Sequence, residues 1–165
     1  MNNQVVTLSP DLYFSYNQFF VYDKELGNGA SEWNEVHSRQ GFARREQAIA
    51  MGTLCEYGTA KVSVHLTHFA TPNKYERVIA VPLLTKSGSI SVDGPEEYPL
   101  ERSCPVANGH YRVVIAQHVT GENSENIDIF LEKLEKSKET SEIIVADESL
   151  NPSDKLLETA EIIKV

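Results

Sequence analysis

Residues 59–68 read TAKVSVHLTH, and their side chains alternate between apolar and polar more regularly than in any other stretch of the chain. Successive side chains of an extended strand point to opposite faces, so a period of two separates an apolar face from a polar one. This stretch therefore predicts a strand with one face in a core and the other in water. The apolar face consists of Ala60, Val62, Val64 and Leu66.

Further stretches on both sides show strand chemistry, with turn residues between them. Pro82 lies inside one of them, which favours an edge position or a bulge there. Seven or eight short strands without alternating long helices are typical of a β-sandwich and not of a parallel α/β sheet. The sequence predicts a mainly β fold, an antiparallel β-sandwich with one or two short helices. The clearest strand segments are 11–23, 47–54, 59–68, 76–84, 89–93 and 110–119.

Residues 125–139, ENIDIFLEKLEKSKE, fit two templates. Ile127, Phe130 and Leu131 match the i, i+3, i+4 spacing of a helix. Ile127, Ile129 and Leu131 match the alternation of a strand, which would form a hairpin with the strand before it. Because tertiary context overrides such propensities, the sequence leaves helix and strand open.

Two other stretches have weaker patterns. Residues 32–45 fit neither period and predict a short helix or an ordered loop, with Trp33 and His37 on a helical turn that ends at Gly41. Residues 158–164 predict a final short strand.

The chain has 165 residues, of which 41% are hydrophobic, and both values suit one globular domain with a sizeable core. We therefore predict a single β-sandwich domain over residues 1–165. The N-terminus has no basic segment followed by an apolar run, and no stretch approaches the ~18 apolar residues of a membrane span. The sequence predicts a cytoplasmic protein that does not bind a membrane.

The acidic residues are distributed unevenly. Residues 1–93 carry nine acids against eight bases, a net charge of −1, whereas residues 94–165 carry fifteen acids against seven bases, a net charge of −8. The two parts sum to the −9 of the whole chain. Such an asymmetry predicts a negative face that repels nucleic acid and attracts a basic protein. Ordinary acidic solubility is the alternative explanation.

Motifs that carry catalysis or cofactor binding are absent from the sequence. There is no glycine-rich phosphate loop, no nucleophile elbow and no zinc-binding pattern. His65 and His68 lie three residues apart in or just after a strand, which places them on opposite faces. Cys104 has no feature that predicts a lowered thiol pKa. We predict no catalytic residue, no metal and no cofactor.

The acids of the C-terminal half are the main partner-binding candidates. If residues 126–134 form a strand, Asp128 and Glu132 share its outward face with Phe130, at a spacing of roughly 7 Å between alternate residues. Carboxylates at that spacing approximate the phosphates of one nucleic-acid strand and could occupy a basic groove. A solvated outer strand is the alternative. The predicted acids are Glu122, Glu125, Asp128, Glu132, Glu135, Asp147 and Glu148.

Two aromatic residues complete the candidate set. Trp33 and Phe42 flank the predicted helical turn, and aromatic residues in loops often anchor protein interfaces. The structural alternative is that both side chains plug one end of the sandwich.

Five segments carry a resemblance to a known family: SYNQFFVYD (15–23), WNEVHSRQGFARR (33–45), AIAMGTL (48–54), YERVIAVPLL (75–84) and GHYRVV (109–114). In content and order they resemble the competence protein J family. The resemblance covers residues 11–134 and leaves 135–165 as a C-terminal extension. It implies a soluble cytoplasmic β protein that binds and blocks a nuclease.

The sequence thus predicts a non-enzymatic immunity or inhibitor protein whose acidic surface occupies the basic substrate groove of a nuclease or toxin. One alternative is a small-ligand or carbohydrate-binding β module that stacks its ligand on the aromatic strand Tyr13–Tyr22. Another is a hydrolase with a cysteine or carboxylate centre.

Overall fold

The computed structural model describes residues 4–70, 72–99, 102–136 and 140–163. Within them the chain forms eleven strands, one short α-helix and two 3₁₀ turns, Lys24–Leu26 and Pro72–Lys74. The helix, α1, is Glu35–Gln40. The strands are β1 Val5–Phe14, β2 Gln18–Asp23, β3 Phe42–Arg45, β4 Ala48–Gly52, β5 Gly58–His65, β6 Arg77–Thr85, β7 Ser89–Asp93, β8 Ser103–Pro105, β9 Gly109–Gly121, β10 Ser124–Leu134 and β11 Glu142–Val145.

These strands form two sheets. The six-stranded sheet has the order β1-β5-β10-β9-β6-β11, and the five-stranded sheet has the order β3-β4-β2-β7-β8. Among the described strands every pair is antiparallel except β5–β10, which runs parallel from the Ser124–Thr59 pair to the Phe130–His65 pair. The predicted mainly β fold with mostly antiparallel strands is confirmed, and β5–β10 is the parallel exception among the described strands.

The two sheets pack face to face around one buried apolar cluster. The clean alternation of β5 is confirmed, since Val62 and Val64 lie in this cluster with no exposed surface. The five-stranded sheet contributes Ile49 and Met51 of β4 to the same cluster. Burial of about 1.5–3 kcal/mol per large apolar side chain makes this shared layer the main source of stability.

The aromatic stretch 11–23 is two strands and not one. Tyr16 and Asn17 have positive φ angles of 54° and 58°, and they turn the chain from the six-stranded sheet into the five-stranded sheet. The stretch predicted as one strand segment therefore contains a turn. Phe14 ends in the shared core, whereas Tyr22 packs on the outer face of the five-stranded sheet.

Residues 124–134, which the sequence left open, form a strand. β10 is hydrogen-bonded to β9 on one side and to β5 on the other. Two ladders and a buried face outweigh the helical propensity of its leucines, its glutamates and Lys133. Residues 137–139 of the predicted segment lie outside the described residues.

Pro82 lies in β6 opposite Arg112 of β9. The other neighbour, β11, pairs with β6 only from Val78 to Ala80. Among the described residues, no strand pairs with β6 at Pro82 on the side away from β9, which agrees with the predicted edge position of a residue without an N–H group.

Helix α1 has a cap at each end. Asn34 Oδ1 accepts the N–H of His37 at 3.1 Å, and His37 Nδ1 accepts the N–H of Asn34 at 3.0 Å, which forms a capping box. Gly41 follows with a φ of 87°, a left-handed conformation that glycine adopts without strain. The predicted short helix that ends at Gly41 is confirmed.

Residues 146–163, which we call the C-terminal strap, run from β11 past α1 to the outer face of the five-stranded sheet. The Gln40 side chain donates to Leu157 O and accepts from Leu157 N, both at 2.9 Å. His37 Nε2 lies 2.8 Å from Thr159 O. Because the strap bonds to side chains, the described residues of the predicted strand 158–164 form no strand and only one bridge, between Ser31 and Ile162.

Among the residues that the structure describes, no helix has the length and hydropathy that a membrane span requires.

Candidate functional site

Three polar side chains occupy core-facing positions at one end of the sandwich, which we call the cleft end. Arg77 begins β6, Gln117 lies near the end of β9, and Glu125 lies at the start of β10. The period of two places them in the same layer as the core. The residue two positions further into each strand is fully buried and apolar: Ile79, Ile115 and Ile127.

Arg77 joins the two sheets. Its side chain is 4% exposed, and its Nε and Nη2 donate to the Asp147 carboxylate at 2.7 and 3.1 Å. Nη2 also donates to Ser149 Oγ at 2.8 Å, and Nη1 donates to Gly52 O of β4 at 2.9 Å. Burial acts to raise the pKa of Asp147, but the hydrogen bonds from Arg77 and Ser149 outweigh it and hold that pKa below its usual value.

Glu125 fixes the loop that follows β4. It is 1% exposed, and its Oε2 accepts the N–H groups of Leu54 and Cys55, both at 3.0 Å. Its Oε1 accepts Gln117 Nε2 at 3.2 Å. Burial raises the pKa of Glu125, and the hydrogen bonds from Cys55, Gln117 and Leu54 offset this rise only in part.

The β1–β2 turn and the loop after β4 meet at the cleft end. Asn17 Nδ2 donates to Thr53 O at 2.6 Å, and Asn17 N donates to Glu56 O at 2.8 Å. These two loops present Tyr16 and Tyr57 to solvent, with exposed fractions of 72% and 54%. Large aromatic side chains on a fixed backbone are typical of interaction surfaces.

A cleft of about 490 Å³ opens between the sheets at this end. Its lining includes Tyr16, Trp33, Leu54, Arg77 and Leu150, so that both sheets, the segment before α1 and the strap contribute. Arg77 is the one charged side chain in the described lining, and Asp147 neutralises it.

Asp128 and Glu132 share the outer face of β10 with Phe130, as the strand alternative predicts. Asp128 is engaged within the molecule, because its Oδ1 lies 2.9 Å from His65 Nε2 and its Oδ2 accepts the Tyr75 hydroxyl at 2.9 Å. Burial and the bond to Asp128 raise the pKa of Tyr75.

Glu132 is also neutralised locally. Its Oε1 accepts Arg112 Nη1 at 3.1 Å, and its Oε2 accepts the N–H of Phe69 at 2.9 Å. Arg112 Nη2 extends the network to Glu142 at 3.0 Å. The outer face of β10 is therefore a paired polar surface and not a free row of carboxylates.

The seven predicted acids do not form one patch. Glu125 is buried, and Asp147 is bound to Arg77. The remaining three, Glu122, Glu135 and Glu148, are exposed, and none makes an ion pair with another described residue. Glu122 lies in the β9–β10 turn at the cleft end, whereas Glu135 follows β10 at the opposite end.

The two predicted aromatic anchors have different positions. Phe42 is fully buried in the shared core, so it is not available to a partner. Trp33 is half-buried beside the outer cluster of the five-stranded sheet, with its ring 6.3 Å from that of His37, and it lines the cleft. Its Nε1 is buried without a hydrogen-bond partner among the described residues.

Neither cysteine thiol is activated as a nucleophile in this structure. Burial raises the pKa of both Cys55 and Cys104, which disfavours the nucleophilic thiolate. Within the described ranges, no group of three or more His, Cys, Asp or Glu side chains could hold a metal ion. His65 is paired with Asp128, and the side chain of His68 is 82% exposed.

The sequence analysis did not name Arg77, and it named Glu125 only as a partner-binding acid and not as a buried residue of the cleft end. Arg77 and Glu125 stand two residues before buried isoleucines, so their core-facing positions follow from the same alternation that identified the strands. The available signal was a charged residue at a position that the alternation assigns to the core face of a strand. Tyr16 and Tyr57 had no such signal, because their exposure depends on where two loops meet.

The fold and the cleft end together define a two-sheet β protein with a cleft and two exposed tyrosines at one end. The sequence model of the Competence protein J (ComJ) family matches residues 11–145, and the chain belongs to that family. The predicted family membership is thus confirmed, and the match runs beyond the predicted 134 to include β11. The strap lies outside it.

Two solved structures have the same fold. ComJ from Bacillus subtilis, described as an inhibitor of the DNA-degrading activity of NucA, has a TM-score of 0.67 at 19% identity, over 79% of this chain and 99% of that one. Crocagin biosynthetic gene J has a TM-score of 0.53 at 16% identity, over 79% and 98%. No curated protein sequence matches this chain.

Proposed function

We propose that this protein binds a DNA-degrading nuclease and inhibits it, without catalysis of its own. The observation that carries the proposal is the family match over residues 11–145, together with a solved relative described as an inhibitor of such a nuclease. The match covers β2 to β11 and the last four residues of β1, so the proposal concerns both sheets. The cytoplasmic location predicted from the sequence is part of the same proposal.

The chemistry of the described residues agrees with a binding role. The thiols have raised pKa values, and Asp128 and Glu132 hold hydrogen bonds that keep them in place. A preorganised surface with exposed tyrosines is suited to protein recognition, since little side-chain entropy is lost on binding.

The mechanism differs from the predicted row of carboxylates. Asp128 and Glu132 are paired on the outer face of β10, so their charges are not available to imitate phosphates. The net charge of −9 still attracts a basic nuclease and raises the association rate. The contact surface is proposed separately below.

Binding of a small ligand is a second candidate function. The cleft of about 490 Å³ with Tyr16 and Trp33 in its lining favours it. The stacking strand Tyr13–Tyr22 is largely unsuited, because Tyr22 has no exposed surface.

The test is inhibition of DNA degradation by purified protein. The targets are NucA-like nucleases of the same organism, with the Bacillus subtilis NucA–ComJ pair as the positive control and an unrelated acidic protein of similar net charge as the negative control. We expect inhibition that is complete near equimolar protein. Full nuclease activity at a large excess of protein would contradict the proposal.

A further inference from the structure

We infer that the nuclease docks on the cleft end through a cationic surface, and this inference rests on the proposed function. The contact surface, which we call the tyrosine rim, consists of Tyr16, Tyr57, Glu56, Glu122 and Glu148. Four separate segments contribute to it: the β1–β2 turn, the loop after β4, the β9–β10 turn and the strap.

Tyr16 and Tyr57 are the aromatic part of the rim. Both rings are more than half exposed, whereas other aromatic side chains are buried in the core and in two outer clusters. Tyrosine contributes a large contact area with few rotatable bonds, and its ring face also attracts lysine and arginine.

The rim is rigid before a partner arrives. Asn17 bonds to Thr53 O and Glu56 O, which fixes the first turn against the loop after β4. The buried Glu125 holds the N–H groups of Leu54 and Cys55 in the same loop. A surface fixed by buried hydrogen bonds binds with a smaller entropy cost than a mobile loop.

The two acidic segments lie beside these loops. Thr59 N donates to Asn123 O at 3.1 Å, so the β9–β10 turn with Glu122 contacts the start of β5, directly after Tyr57. Glu148 follows Asp147, which is bound to Arg77 in the cleft. Glu148 therefore directly precedes Ser149 and Leu150, which line the cleft.

The negative charge of the tyrosine rim indicates a partner surface with positive charge. Glu56, Glu122 and Glu148 are exposed and make no ion pair with another described residue. The cation in the cleft lining, Arg77, is neutralised by Asp147. Exposed carboxylates beside tyrosine rings are complementary to arginine and lysine side chains, which fits a basic nuclease surface.

A matched pair of charge reversals tests the location. Glu122 and Glu135 flank the two ends of β10, roughly 40 Å apart at the rise of a strand. Both are exposed, and Glu122→Lys and Glu135→Lys change the net charge equally. We expect Glu122→Lys to raise the inhibition constant at least tenfold and Glu135→Lys to change it less than threefold.

A second pair tests the aromatic contact. Tyr57 is chosen over Tyr16 because the positive φ of Tyr16 makes any substitution there a change in the turn as well. We expect Tyr57→Ala to weaken inhibition at least tenfold, whereas Tyr57→Phe, which keeps the ring, retains most of it. Urea denaturation of each variant checks that stability is unchanged.

The outcomes separate the two proposals. Absence of inhibition by the wild-type protein overturns the proposed function and the docking surface together. Inhibition that Glu122→Lys and Glu135→Lys weaken equally, or that neither variant weakens, overturns the docking surface alone. Should Tyr57→Ala fail to fold, the two charge reversals decide.

Discussion

At the scale of single residues, the cleft end replaces apolar packing with a polar link between the sheets. Arg77 Nη1 and Gln117 Nε2 both donate to Gly52 O, at 2.9 and 3.0 Å. Buried charge is costly unless it is paired and hydrogen-bonded. Here Asp147 pairs with Arg77, and the N–H groups of the loop after β4 donate to Glu125. These interactions offset the cost of burying the charges. They also fix two loops in position.

The raised pKa of Glu125 leads to a pH-dependent stability difference. Because the folded pKa is above the unfolded value of about 4.5, the carboxyl group contributes its full stability below that pH. The contribution is lost as the pH rises through the folded pKa. We expect wild type to lose stability relative to Glu125→Gln over this range, as measured by urea denaturation at a series of pH values.

Asp147 provides the internal comparison for that experiment. Its pKa is lowered, so its contribution is present above about pH 3.8 and is lost as the pH falls through the folded pKa. The Asp147→Asn difference therefore has the opposite pH dependence. A Glu125→Gln difference that stays constant with pH would show that burial does not control this carboxyl.

The face of a strand on which a side chain lies was predictable wherever side chains alternate with a period of two. The hydrogen-bond partner of that side chain was not predictable. The outward positions of Asp128 and Glu132 follow from alternation within β10. Their partners do not, because His65 is 63 residues away from Asp128 and meets it only through the parallel β5–β10 pair. For this reason the sequence could not show that Asp128 and Glu132 of the predicted row are paired within the molecule.

At the scale of elements, α1 and β10 show when local sequence is sufficient. The end of α1 at Gly41 follows from a residue that adopts a left-handed conformation at low cost. β10 has helix-forming residues, and its strand conformation depends on two neighbouring strands that no local pattern reveals. Pairing with β5 and β9 therefore determines the conformation of β10.

The strap depends on a few side chains, and Gln40 is the main one. Gln40 is fully buried, and its amide bonds to Phe42 O and to both backbone groups of Leu157. We expect Gln40→Leu to destabilise the protein by about 1–3 kcal/mol, because buried backbone groups lose their partners. Amide hydrogen exchange measures the local opening of the strap: in the variant it should become faster around Leu157 than in the wild type, and change less in β9.

Ser38→Ala is the control for the Gln40 variant. Ser38 is exposed on the same helix, and its substitution should change the free energy of unfolding by less than about 0.5 kcal/mol. Loss of stability without faster exchange in the strap would mean that Gln40 supports the core and not the strap.

At the scale of the whole molecule, the charge asymmetry along the sequence does not become one acidic face. Much of the excess acid in residues 94–165 is used within the fold, as Glu125, Asp128, Glu132 and Asp147 show. The remaining net charge acts mainly at long range, where it guides association.

This long-range field predicts the salt dependence of complex formation. We expect the association rate constant with a basic nuclease to fall about tenfold between low and high ionic strength, because screening acts over ~8 Å at physiological salt. The dissociation rate constant should change much less. Stopped-flow measurements of both constants check this, and an association rate independent of salt would contradict a steering role for the net charge.

The mainly β fold was predictable from alternation and turns, but its topology was not. Alternation identifies β5, β6 and β9 one by one and does not say which strands are neighbours. The assignment of β1 and β2 to different sheets depends on the turn at Tyr16 and Asn17, whose positive φ angles belong to residue types other than glycine.

The insertion of the β9–β10 hairpin between β5 and β6 has a consequence for synthesis of the chain on the ribosome. Before β9, β10 and β11 have emerged, β5 lacks one of its neighbours and β6 lacks both, so that three strand edges are exposed to other nascent chains. The residues up to β6 therefore have to avoid aggregation until the later strands of the six-stranded sheet have been synthesised. Chaperone protection is most valuable during this interval.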